Sequence, residues 1–150
     1  MRTMGSLTTL SAAVLVAGAT AIATATPAAA QDNGGPFDRV YSLADGPCAG
    51  IVDSSVAGDT YPDAAGFTTG VYLYGVGPCS LDVTLNWRNV FTGEVGSKTH
   101  HATGPGYWGN DGRSALFFPG IGEFVGTVTV GAAHVPEPGE VHFSVHPYQG

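Results

Sequence analysis

Residues 80–90 read Ser-Leu-Asp-Val-Thr-Leu-Asn-Trp-Arg-Asn-Val. Leu81, Val83, Leu85 and Trp87 alternate with Asp82, Thr84, Asn86 and Arg88. A period of two puts the apolar set on one face of an extended chain and the polar set on the other. A strand of this kind lines a core on one side and meets water on the other, as antiparallel sheets do. The spacing predicts a central strand of such a sheet, with Trp87 in phase with the core residues.

The neighbouring sequence builds the same picture. Phe91-Thr92-Gly93-Glu94 is turn-like, and residues 95–103 then return as the second arm of a hairpin. The tripeptide Gly77-Pro78-Cys79 leads into the central strand, and Gly46-Pro47-Cys48 leads into residues 49–56. Each Gly-Pro bends the chain and leaves a cysteine at a strand start, so two strand beginnings are expected side by side. Residues 39–43 read as a short edge strand and 59–64 as a loop. In residues 66–76, Phe67, Val71 and Leu73 share one face while Tyr72 and Tyr74 share the other. Residues 104–112 are glycine-rich and read as a long loop carrying Tyr107 and Trp108. Residues 114–118 and 123–130 read as strands, and Pro136-Glu137-Pro138-Gly139 as a turn. Residues 140–146 close the domain with Val141, Phe143 and Val145 inward and His142, Ser144 and His146 outward. No segment carries a helical period. The regular spacing of seven or eight short strands predicts an all-β chain folded as a single antiparallel β-sandwich.

The run Phe118-Pro119-Gly120-Ile121-Gly122-Glu123-Phe124-Val125-Gly126-Thr127-Val128-Thr129-Val130, followed by the Pro-Gly turn and Val141-His142-Phe143-Ser144-Val145, resembles the last three strands of bacterial immunoglobulin-like domains. The resemblance covers about a quarter of residues 31–150 and implies an immunoglobulin-like arrangement with no particular activity. Two departures stand out. Phe124 occupies the position where many such domains carry a corner tyrosine. The Cys48–Cys79 spacing is shorter than that of the usual inter-sheet bridge, and Trp87 follows the second cysteine.

The N-terminal residues read as an export signal. Arg2 precedes an uncharged run over residues 10–26, and Pro27 precedes Ala28-Ala29-Ala30. Residues 1–30 are expected to be removed, 31–37 to form a flexible leader and 38–150 to form the domain. Nothing after residue 30 is long and apolar enough to suggest membrane insertion. Residues 31–150 hold four basic and twelve acidic side chains, a net charge of −8 with neutral histidines. That balance argues against nucleic acid as a partner. In an exported chain, the cysteine pair Cys48 and Cys79 reads as one disulfide.

No chemical motif stands out. Ser114 lies in Asp-Gly-Arg-Ser-Ala, unlike a nucleophile elbow. His142 and His146 are too far apart along a strand to share a metal, and His100 and His101 point to opposite faces. The histidines therefore read as solvent-exposed imidazoles. Asp53, Asp59 and Asp63 do not fit a calcium loop and read as turn residues. Neither a cofactor nor a metal is expected. Tyr107 and Trp108 are the first candidates for a binding site, and Tyr72 and Tyr74 the second, because large exposed aromatics invite a covering partner. The expectation is a secreted, non-enzymatic β-sandwich that acts as an extracellular or cell-envelope binding module for a protein or glycan. The alternatives are a carbohydrate-binding module using the same aromatics, and a small secreted hydrolase or metal-binding protein.

Overall fold

The computed structural model describes residues 33–150, so the expected export signal lies outside the described residues. Eleven strands and one helical turn follow in chain order. They are β1 (Gly34–Pro36), β2 (Val40–Leu43), β3 (Cys48–Tyr61), β4 (Ala64–Gly75), β5 (Cys79–Asn89), β6 (Val95–Gly104), β7 (Gly106–Gly109), α1 (Gly112–Ala115), β8 (Leu116–Phe117), β9 (Gly122–Val130), β10 (His134–Val135) and β11 (Glu140–Val145). They form two antiparallel sheets packed face to face. The larger runs β10-β2-β3-β4-β7, with β1 added on β3 and β8 on β4; the smaller runs β11-β9-β5-β6.

The alternation in the central strand acts as the sequence implies. Leu81, Val83 and Leu85 of β5 are buried, Trp87 packs against the core from its margin, and β5 lies between β9 and β6. The facing layer comes from Val52 and Val56 of β3 and from Phe67, Val71 and Leu73 of β4. Phe124 stacks on Phe143 at 5.3 Å and meets Trp87 edge-on at 5.6 Å, filling the end where a tyrosine hydroxyl would need a polar partner. The smaller sheet sets β5 between β9 and β6, whereas the larger sheet pairs β3 with its chain neighbour β4.

Several local readings are corrected. The expected flexible leader over residues 31–37 is structured from Asn33 onward. Gly34–Pro36 pair with Ser55–Ala57, Asn33 bonds the backbone of Ser144, and Phe37 is buried. Composition hid this because a glycine-rich segment has few side chains to show a pattern. The expected loop over 59–64 is mostly strand. Pro62 and Asp63 alone make the turn, with Asp63 in the left-handed region at φ 57°. The expected strand over 114–118 is instead a helical turn followed by a two-residue strand. Asp111 caps this turn by accepting from the Ser114 backbone N–H at 2.6 Å.

The disulfide joins Cys48 and Cys79 as expected, with Cα atoms 6.1 Å apart. It also corrects an inference from spacing. Cys48 begins β3 in one sheet and Cys79 begins β5 in the other, so the bridge is inter-sheet despite the short separation. The β3–β4 hairpin returns the chain to the end where it began, and residues 76–78 then cross to the facing sheet. Asp45 and Ser80 exchange backbone hydrogen bonds of 2.9 and 3.0 Å beside the bridge. A loop of 31 residues corresponds to about 3–4 kcal/mol of chain-entropy stabilisation. Cys48→Ala/Cys79→Ala is therefore expected to lower the unfolding free energy by about 3–4 kcal/mol in urea titration. A loss below about 1 kcal/mol would show that the backbone pairing alone holds this end closed.

Candidate functional site

The pairing of β3 with β4 decides which side chains reach the outer face of the larger sheet. Ile51 lies opposite Tyr72 and Ala49 opposite Tyr74. On the flanks, Tyr41 of β2 lies opposite Ile51, and Val135 of β10 opposite Tyr41. Tyr107 of β7 lies opposite Tyr72. One register row therefore crosses five strands as Val135–Tyr41–Ile51–Tyr72–Tyr107. A parallel row reads Leu43–Ala49–Tyr74. Neighbouring strands sit about 4.8 Å apart, so the longer row spans roughly 19 Å.

Both rows are exposed except at Ile51, which is half-buried: Tyr107 is 63 %, Tyr74 59 % and Val135 68 % accessible, and Tyr41, Leu43 and Tyr72 are exposed as well. The tyrosines support one another, with Tyr72 and Tyr107 centroids 4.9 Å apart and Tyr72 and Tyr74 5.9 Å apart. Gly70 and Gly109 face each other in the next row, and the Tyr107 ring reclines over both. A β-carbon on Gly109 would come within 2.7 Å of the Tyr107 hydroxyl, so side chains there would lift the ring. Beside these glycines, Arg39 and Asp53 form a bidentate pair at 2.7 and 2.9 Å, so the charges on this part of the face satisfy each other. Between Tyr41 and Tyr74 runs a shallow groove of about 450 Å³, with Leu43, Ile51 and Val135 in its lining.

The four predicted aromatics are thus divided. Tyr72, Tyr74 and Tyr107 come together on the outer face. Trp108 does not join them. The loop expected over residues 104–112 contains β7, an edge strand of the larger sheet. Alternation there turns Tyr107 outward and Trp108, opposite Val71, inward against the core. Tyr41, Leu43, Ile51 and Val135 were not singled out from sequence. Tyr41 and Leu43 did alternate with Val40 and Ser42, and that period was the available signal.

The histidines also divide. His100 is buried, which corrects its reading as a solvent-exposed imidazole. Its Nε2–H donates to the Ser114 carbonyl at 3.2 Å, its Nδ1 lies 3.1 Å from the Thr69 hydroxyl, and its ring stacks on Phe67 at 5.0 Å. A donor on Nε2 leaves Nδ1 to accept from Thr69 in the neutral ring. Burial lowers its pKa; the bond to Ser114 pulls the other way and the charge of Lys98 adds to the lowering. The Ser114 hydroxyl donates to the Asp111 carbonyl instead of meeting the imidazole. His101 and Asp82 pair on the exposed side at 2.6 Å.

A second polar cluster ties down the end of the chain. Asp59 accepts from the His146 backbone N–H at 2.8 Å, the His146 ring at 2.6 Å and Asn33 at 2.9 Å. Burial pushes Asp59 upward, but the bonds from His146 and Asn33 outweigh it and hold the carboxyl below its ordinary value. The hydrogen bond to Asp59, and then its charge, raise His146. Asp63 receives the Tyr148 N–H at 3.1 Å. Asp53, Asp59 and Asp63 therefore serve three separate contacts. No group of three or more His, Cys, Asp or Glu side chains suited to a metal occurs among the described residues. No helix among them is long and apolar enough to cross a membrane.

Comparison with protein-family models, curated proteins and solved structures finds no match.

The lowered pKa of His100 gives a signed pH dependence. Below the ordinary imidazole value of about 6.5, the unfolded chain takes up a proton that folded His100 resists. Its effect on stability is absent above that value and becomes destabilising as pH falls through it. Urea midpoints of wild type should fall more steeply from pH 7 to 5 than those of His100→Gln. Equal slopes would show that the folded ring protonates as freely as the unfolded one.

Proposed function

We propose that this chain is an exported, non-enzymatic binding module that meets its ligand through the outer face of the larger sheet. The observation that carries this reading is the register row Val135–Tyr41–Ile51–Tyr72–Tyr107, which places apolar and aromatic side chains side by side in water across five strands. A sheet face with no structural purpose for exposed aromatics would ordinarily carry polar residues. The outer face of the smaller sheet does so, with Thr84 bonded to Thr99 and Asn86 to Thr129. Tyrosine suits contact surfaces, since it gives a large rigid area with a polar tip at low entropic cost. The disulfide fits an oxidising compartment.

A carbohydrate ligand is the second reading. The observation favouring it is the Tyr107 ring reclining over Gly70 and Gly109, which leaves an aromatic face open for stacking on a sugar ring.

The test uses residues 31–150 and the producing cell's envelope and secreted fractions. Tyr72→Ala/Tyr107→Ala should reduce retention at least tenfold while the thermal midpoint stays close to wild type, because both rings are exposed. Undiminished retention in the variant would contradict the assignment of the face.

A further inference from the structure

We infer that residues 146–149 are a pH-gated strap: they close a hollow beside the β3–β4 turn in mildly acidic surroundings and detach as the surroundings become alkaline. This device is separate from the outer tyrosine face.

The strap is attached differently from the rest of the chain. β11 ends at Val145, and no backbone–backbone hydrogen bond holds residues 146–150 among the described residues. The bonds that dock them end on two carboxylates. Asp59 accepts from the backbone N–H and from Nδ1 of His146, at 2.8 and 2.6 Å. Asp63 accepts from the Tyr148 N–H at 3.1 Å. Both aspartates stand in the left-handed region, at φ 51° and 57°, which Asp tolerates better than most side chains. Residues 59–63 form one wall of a hollow of about 440 Å³, and residues 146–149 form the other. Tyr61 and Tyr148, both exposed, stand one on each wall. Release of the strap therefore removes a wall and opens the hollow.

The attachment depends on two protons. A carboxylate only accepts, so Nδ1 of His146 carries its proton toward Asp59 whether the ring is neutral or charged. A charged ring adds the attraction of an ion pair. The hydrogen bond to Asp59, and then its charge, raise the His146 pKa, and Glu123 adds to the rise. What favours the charged ring in the docked strap equally favours docking of the charged ring. The His146 contribution is therefore fully present below the ordinary imidazole value of 6.5 and is lost as pH rises through the raised one. Burial pushes Asp59 upward, but its bonds from His146 and Asn33 hold it below its ordinary value. Its contribution is present above 3.8 and is lost as pH falls through the lowered value. The strap is held most tightly between these limits. Glu123 and His142 share a second hollow with Asp59 and His146, so the charge of His142 must be separated from that of His146. Asp63, Tyr61 and Tyr148 are the other titratable groups lining the first hollow. The His146–Asp59 pair is partly open to water, so salt screens it.

The test is solvent-exchange NMR of residues 31–150 at low salt, with the protection of the Tyr148 amide taken relative to its intrinsic exchange rate at each pH. From pH 6 to 8.5 the wild-type protection should fall about threefold or more. His146→Asn puts an amide N–H near the place of Nδ1–H but does not titrate, so its protection should stay level. Asp59→Asn should lower protection at pH 6 toward the wild-type value at pH 8.5. His142→Asn should keep the wild-type fall. The readout is the slope within each variant, so a uniform loss of stability does not imitate it. A level wild-type profile, or an equal fall in His146→Asn, would overturn the inference. A fall abolished by His142→Asn but kept by His146→Asn would overturn it as well.

Discussion

The antiparallel pairing of β3 with β4, with Ile51 opposite Tyr72, is the constraint on which both faces of the larger sheet depend. In β4 the odd-numbered residues Phe67, Thr69, Val71 and Leu73 enter the core, and the even-numbered Tyr72 and Tyr74 leave it. A one-residue slip would bury tyrosine hydroxyls and expose the core set, so register is strongly specified. The same register sets the outer rows. The contact face therefore follows from core packing, since the buried residues choose the alternation and the tyrosines occupy what remains.

That pairing also explains the placement of the disulfide. A hairpin of two long strands brings the end of β4 back beside the start of β3, and a short crossing delivers Cys79 to the facing sheet. Sequence separation is a poor guide to whether a bridge crosses a sandwich, because one long hairpin can consume the separation within a single layer. The other end of the chain is closed by polar contacts: Asn33 and Asp59 hold the segment around Ser144 and His146 to the β3 end of the larger sheet.

What was legible in the sequence was whatever a long alternating run could carry. The core of β5, the hairpin to β6, the inward residues of β9 and β11 and the two faces of β4 all follow from period two. What was not legible lay in short, glycine-rich segments. Gly106–Gly109 has only two side chains with which to show a pattern, so an edge strand read as a loop and Trp108 was grouped with Tyr107. Asn110 then covers the gap beyond β7 by accepting from the Thr69 N–H at 2.7 Å and donating to the Phe67 carbonyl at 3.1 Å. No periodicity announces a side chain standing in for strand backbone. His100 escaped for a related reason: its polar partners, Thr69 and the Ser114 carbonyl, are 31 and 14 residues away. The tyrosine face was half legible, since Tyr72 and Tyr74 share a face within one strand, whereas Tyr41 and Tyr107 join them only through pairing between strands.

All six tyrosines of the chain are exposed, four on the outer face and two, Tyr61 and Tyr148, by the turn after β3 and the end of the chain. That division allows one direct measurement of where ligand binds. Hydroxyl-radical footprinting of residues 31–150, read by mass spectrometry with and without the producing cell's envelope and secreted material, reports each ring separately. The account predicts that Tyr41, Tyr72, Tyr74 and Tyr107 lose reactivity together while Tyr61 and Tyr148 keep theirs. Protection of Tyr61 and Tyr148 with the other four unchanged, or no protection at any of the six, would contradict it.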